Sequence, residues 1–122
     1  FILGAQTNIY KEMMKSDGDL VLGAWECTGE LKGRVGQISL SEDKVLFSKD
    51  KVENCDYEHM WGTMLFRKNL IRYIDTSLDH PGKQIKEWID ESSNIRAVRP
   101  GGRYMDIGTL RGLKQLYKEM DA

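Results

Sequence analysis

The sequence predicts an α/β domain with an α+β tendency: a mixed sheet of about five short strands with three to four helices. Three observations predict it. Short apolar runs of strand character recur between segments with helical spacing, the order expected when helices connect the strands of one sheet. The run Leu20-Val21-Leu22-Gly23 is apolar throughout, which suits a strand buried on both faces and is typical of parallel pairing. Alternating segments on either side of Ser41-Glu42-Asp43-Lys44 suit an antiparallel hairpin, so the sheet is mixed.

Taken in order, residues 6–16 carry Ile9 and Met13 on one face with Tyr10 and Met14 beside them, a helical spacing that Asp17-Gly18 can end. The apolar strand at 20–23 follows. Ile38 and Leu40, then Val45 and Phe47, form the hairpin, and the aromatic-rich residues 57–66 read as extended. Leu70, Ile71, Ile74 and Leu78 lie at helical spacing. Pro81-Gly82 breaks the chain before a shorter helix with Ile85, Trp88 and Ile89. Ile95 to Val98 returns to strand character. Gly101-Gly102 then turns the chain into Tyr104-Met105-Asp106, and Leu110, Leu113, Leu116, Tyr117 and Met120 define a last amphipathic helix.

At 122 residues the chain suits a single domain, residues 1–122, and 40% hydrophobic residues supply one core. A chain of this length buries roughly 65% of the surface it exposes when unfolded. Eighteen Lys and Arg against nineteen Asp and Glu leave a formal charge of −1, which argues against a nucleic-acid or membrane-surface protein held by long-range electrostatics. No apolar stretch approaches the ~20 residues of a membrane span, so a soluble, cytoplasmic protein is expected. Cys27 and Cys55 read as ordinary cytosolic thiols, with a bridge between them as the alternative. The chain opens Phe1-Ile2-Leu3-Gly4 without an initiator Met, as expected of a processed start or of numbering that begins inside a longer reading frame.

The most informative stretch is Gly102-Arg103-Tyr104-Met105-Asp106-Ile107-Gly108-Thr109, directly before a helix. A carboxylate at the end of a short strand can offer hard oxygens to Mg²⁺. Gly108 allows close backbone approach, and Thr109 can cap the helix that starts at Leu110. A plain strand-to-helix turn with a solvated Asp106 is the alternative. His59 and His80 have no paired Ser, Cys or Asp pattern and read as structural or surface groups. Asp75 and Asp79 read as a solvated helix end. Arg96, Arg99 and Arg103 form a basic cluster that either meets a phosphate or acidic partner or keeps a strand edge from aggregating. Trp25, Trp61 and Trp88 are spaced for core packing.

Tyr104-Met105-Asp106-Ile107-Gly108-Thr109, with Gly112 a turn on, resembles the Asp-x-Gly-Thr element of the nucleotidylyltransferases that join a nucleoside triphosphate to a sugar 1-phosphate, such as glucose-1-phosphate thymidylyl- and uridylyltransferases. Asp19-Leu20-Val21-Leu22-Gly23, Arg34-Val35-Gly36-Gln37-Ile38, Asp50-Lys51-Val52 and Trp61-Gly62-Thr63-Met64-Leu65-Phe66 are similar to further segments of that family, in the same order. The resemblance implies the C-terminal half of a Rossmann-like nucleotidyltransferase domain. It makes Asp106 the second of two Mg²⁺-binding aspartates and Lys51 the lysine that neutralises sugar-phosphate charge. Lys49 is the alternative phosphate-binding lysine. Asp50 stands where many members have a Glu that contacts sugar hydroxyls, and Gly36 and Gly62 match glycines that line the sugar pocket. Val52 replaces the usual Pro.

The Gly-x-Gly-x-Arg-Leu loop that cradles the triphosphate, the lysine after it and the first metal aspartate have no counterpart here. The resemblance therefore implies a sugar-phosphate-binding part of an Mg²⁺-dependent enzyme, inactive alone. The alternative is a stand-alone binding or assembly module derived from that fold. Either way uncovered sheet edges predict a homodimer or higher homo-oligomer.

Overall fold

Alternation and burial decide which strands pair. The computed structural model describes residues 2–4, 7–91 and 94–121. Its elements are β1 (Ile2–Leu3), α1 (Ile9–Lys15), β2 (Leu20–Glu26), β3 (Gly36–Ser41), β4 (Lys44–Asp50), β5 (His59–Phe66), α2 (Lys68–Ile71), α3 (Pro81–Asp90), β6 (Ile95–Val98), β7 (Arg103–Tyr104) and α4 (Leu110–Met120). The apolar run is the middle of the sheet, and β2 is buried from Leu20 to Trp25. It pairs antiparallel with β5, from Leu20↔Phe66 to Glu26↔His59, and parallel with β6, from Leu20↔Ile95 to Gly23↔Val98. The predicted mixed α/β architecture is what the chain adopts.

The sheet is also more closed than the sequence suggests. Its order is β2-β5-β3-β4-β6, and β6 meets β4 at Lys44↔Arg96, which curls the five strands into a barrel. The seam is short. It is reinforced by the Ala97 N–H donating to the Asp43 carbonyl at 2.7 Å and by Arg96 Nη1 on Asp43 Oδ1 at 2.9 Å. The edges predicted to be uncovered therefore meet each other here. The hairpin turn is tighter than predicted: Ser41 pairs with Lys44, leaving Glu42 and Asp43 as the loop, with Glu42 at φ 54°.

Two apolar clusters lie on opposite faces of this sheet. The inner one holds Leu20, Leu22, Ala24, Ile38, Val45 and Ile95, closed by Ile85 and Trp88 of α3. Trp88 meets Phe66 edge-on at 5.9 Å, a favoured aromatic geometry. The outer cluster is Trp25, Val35 and Met60, with Ile2, Ile9, Leu31 and Tyr104 packed on it. It is covered by the N-terminal segment and by the small antiparallel β1–β7 ladder, Ile2↔Tyr104 and Leu3↔Arg103.

Helix ends are settled by side chains. Asn8 caps α1 by accepting the Lys11 N–H at 3.2 Å. At its other end Arg67 donates to the carbonyls of Met14, Ser16 and Gly18, satisfying groups that a helix leaves open. The helix predicted from Leu70 to Leu78 is only one turn, α2. Ile71, Tyr73 and Ile74 are exposed and only Leu70 is buried, so no apolar stripe drives a longer helix. Asp75 instead accepts from the Ser77 N–H at 2.9 Å and from its hydroxyl, the side-chain competition that breaks helices.

The last helix is α4, and its apolar stripe is largely unpacked. Leu116 is buried, but Leu110 is 87% exposed, Tyr117 60% and Met120 58%. Among the described residues no helix is long and apolar enough to cross a membrane.

Candidate functional site

The segment carrying Asp106 is held onto the sheet by aromatic packing. After Pro100, Gly101 and Gly102 take φ of 78° and 73°, a left-handed pair that turns the chain back and that side-chain-bearing residues rarely adopt. The Trp25 indole N–H donates to the Gly101 carbonyl at 3.0 Å, and its ring lies 5.6 Å from that of Tyr104. Tyr104 fits because position 62 is a glycine. A Cβ there would come within 2.5 Å of the Tyr104 ring and 3.1 Å of the Trp25 ring. Gly62 is also skipped in the β2–β5 register, so it is the extra residue of a bulge. Burial, then the nearby Asp106 charge, pushes the Tyr104 hydroxyl above its ordinary pKa.

Two residues on, Asp106 Oδ1 accepts the Gly108 N–H at 2.9 Å, and the Thr109 hydroxyl accepts the Gly112 N–H at 3.1 Å to cap α4. The carboxylate is half-buried at the start of a helix, a polarity that favours negative charge. Among the described residues no group of three or more His, Cys, Asp and Glu side chains could hold a metal ion. Asp106 supplies a single hard-oxygen donor. Mg²⁺ is typically held by one or two carboxylates, with waters and substrate phosphates completing its shell.

The Asp50-Lys51 segment leaves the end of β4. Lys51 is exposed and sits at φ 55°, a left-handed conformation costing a lysine about 1–2 kcal/mol. Its N–H donates to the Val35 carbonyl at 3.1 Å. Val35 belongs to the Trp25 cluster, and so does Tyr104. Lys51 is thus joined to one apolar cluster by a backbone hydrogen bond, and Asp106 by two residues of chain.

The remaining candidates separate. Gly36 pairs with Asp50, and the space where its Cβ would project is filled by the Trp61 indole, which packs on the inner cluster. Gly62 faces the outer cluster instead, so the two glycines do not border one cavity. The Asp50 carboxylate is directed to the start of α3, with Oδ2 3.2 Å from His80 Nδ1 and Oδ1 buried without a hydrogen-bond partner. Lys49, next along the strand, has its Nζ 5.2 Å from the centre of the Tyr57 ring, a cation–π approach.

The basic cluster resolves into structural contacts. Arg96 is on Asp43, Arg99 donates to the Glu42 carbonyl at 2.9 Å, and Arg103 pairs with Glu119. Hydrogen bonds from Arg103 and Gln115 hold the Glu119 carboxyl below the usual carboxylate range. Asp79 is paired with Lys83 at 2.7 Å, while Asp75 bonds Ser77, so these two acids have separate tasks. Cys27 and Cys55 are both free thiols. His59, with Asp56, Tyr57 and Glu58, borders two adjoining open clefts of about 310 and 500 Å³. His80 caps α3, accepting the Gly82 N–H at 3.0 Å. Its link to Asp50 is not readable from sequence, where the two are thirty positions apart. Pro81 at the first helical position is the one local sign of the cap.

The arrangement is a mixed α/β sheet with a strand–Asp–turn–helix element docked on its outer cluster. Among solved structures the chain is similar to CMP:2-keto-3-deoxy-manno-octonic acid synthetase complexed with CTP, at 8% identity and a TM-score of 0.61 over 92% of this chain and 53% of that one. The chain therefore spans about half the length of that synthetase, and the likeness is one of fold. No protein-family model and no curated protein matches the chain in sequence.

The packing around Asp106 is tested at Gly112. In an ordinary helix Gly→Ala gains about 1 kcal/mol. Here a Cβ would collide with the Asp106 carbonyl oxygen, a backbone atom. Gly112→Ala is expected to lower stability by at least about 1 kcal/mol in urea denaturation, the opposite sign to helix propensity.

Proposed function

We propose that the chain is the sugar-phosphate-binding part of a nucleotidylyltransferase-like protein, one that in complete form joins a nucleoside triphosphate to a sugar 1-phosphate and releases pyrophosphate. The observation that carries the reading is a shared platform: Asp106 follows Tyr104 by two residues, the left-handed Lys51 donates its N–H to the Val35 carbonyl, and Tyr104 and Val35 both belong to the Trp25 cluster. A non-glycine residue in the left-handed region is costly, and such strain concentrates at functional sites. The likeness in fold to the CMP:2-keto-3-deoxy-manno-octonic acid synthetase, complexed with CTP, supports the same reading.

In this reading Lys51 would meet the phosphate as a point charge and Asp106 would be the residue that holds Mg²⁺. The ion would neutralise phosphate charge. The chain's own part is to orient: Gly108 fixes one Asp106 oxygen, the Thr109 cap fixes the start of α4, and the Trp25–Tyr104 contact fixes both against the sheet. Without a triphosphate loop the chain binds a sugar phosphate and does not turn it over.

Titration calorimetry with glucose 1-phosphate and Mg²⁺ tests this. Asp106→Asn keeps an oxygen for the Gly108 N–H, so it should leave stability within about 0.5 kcal/mol. It should also remove the Mg²⁺-dependence of binding. Lys51→Asn tolerates φ 55°, so it should be as stable as the parent or more so, by up to about 1 kcal/mol. It should bind at least about tenfold more weakly, as expected for the loss of a charge-assisted contact. Equal affinity in both variants would sink the assignment.

A second reading, an assembly module, is favoured by α4, where Leu110, Leu113, Tyr117 and Met120 line one exposed stripe. The occupant would be a second copy of this chain, covering an apolar face of the kind that soluble monomers seldom expose. In gel filtration Leu113→Glu combined with Tyr117→Glu should convert a dimer to a monomer. A parent chain that elutes as a monomer at high concentration refutes this reading.

A further inference from the structure

One nitrogen at the start of α3 faces two partners that need opposite things of it. His80 Nδ1 accepts the Gly82 N–H at 3.0 Å, which requires a lone pair. The same nitrogen lies 3.2 Å from Asp50 Oδ2 on β4, a contact that is attractive only if the nitrogen carries a proton. An imidazole nitrogen cannot do both. The other carboxylate oxygen, Asp50 Oδ1, is buried without a partner and lies 2.9 Å from where a Gly82 Cβ would be. It is an idle acceptor at the amide that His80 now holds, and it fits there because residue 82 has no side chain.

We propose that His80 is a proton-operated coupler between β4 and α3. When Nδ1 is unprotonated the imidazole caps α3. When it gains a proton it turns to donate to Asp50 Oδ2, and the Gly82 N–H passes to Asp50 Oδ1. The proton is taken from water, no covalent bond changes, and the exchange converts a cap within α3 into an ion pair tying the helix to the barrel. Histidine is the side chain whose ordinary charge change falls between about pH 5 and 8.

Charged groups approach His80 from two elements. From β4 it faces Asp50. From its own segment it faces Asp79, whose carboxyl is held low chiefly by the Lys83 ammonium and also by His80 itself. Lys83, raised mainly by Asp79, also senses the Asp50 charge. Both neighbouring acids are therefore partnered by cations when His80 is protonated. The proposal does not depend on any sugar-phosphate role for Asp50.

Nitrogen and amide-proton NMR of the full chain from pH 8 to pH 5 tests it. In the parent protein His80 Nδ1 should be lone-pair-bearing at pH 8, and the Gly82 amide shift should move with the same midpoint as the His80 ring. In His80→Asn, whose side chain can still cap but not titrate, the Gly82 shift should no longer move over this range. A proton already on Nδ1 at pH 8, a Gly82 amide that stays still while the ring titrates, or one that still titrates in His80→Asn would each overturn the proposal. The first two are read in the parent protein, so they hold even if the variant does not fold.

Discussion

The contact between Trp25 and the Gly101–Tyr104 segment is what the rest of the candidate site depends on. Trp25 is 4% exposed, near the end of the central strand, and its N–H reaches a carbonyl 76 residues away. A hydrogen bond of this kind contributes about 1 kcal/mol net, and truncating a buried Trp costs about 3–5 kcal/mol. The two-residue β1–β7 ladder that also holds the segment is too short to be stable by itself. Without the indole the segment leading to Asp106 would lose its hydrogen bond and its ring contact to the central strand.

That dependence explains two otherwise unfavourable features. The bulge at Gly62 weakens the β2–β5 ladder locally but opens the room that the Tyr104 ring fills. The left-handed Lys51 is held by its N–H bond to Val35, itself packed against Trp25. In both cases the backbone departs from the easiest path where the outer cluster needs it to. The inner cluster behaves differently. There residues of β2, β3, β6 and α3 fill a common volume.

Much of this was legible in the residues. A continuous apolar run located β2, alternation the hairpin, and helical spacing the helices around Trp88 and Leu116, because burial leaves a local pattern. The 70–78 helix was misread because periodicity alone does not say whether a stripe has anything to pack against, and Asp75 and Ser77 spend their hydrogen bonds on a turn. Barrel closure was invisible, since it rests on the long-range pair Lys44–Arg96. The candidate site was legible as residue types. The sequence could not tell that Gly36 and Gly62 give onto opposite faces, nor that Asp50 is turned to His80, since both follow from strand register.

The central claim is that Lys51 and Asp106, 55 positions apart, form one site because the Trp25 cluster holds both. The most direct measurement is backbone chemical-shift mapping of the full chain while glucose 1-phosphate and Mg²⁺ are added together. The account predicts that Lys51, Asp106, Gly108 and the Trp25 indole N–H shift along one saturation curve. Shifts confined to the Asp56–His59 clefts, or at only one of Lys51 and Asp106, would contradict it.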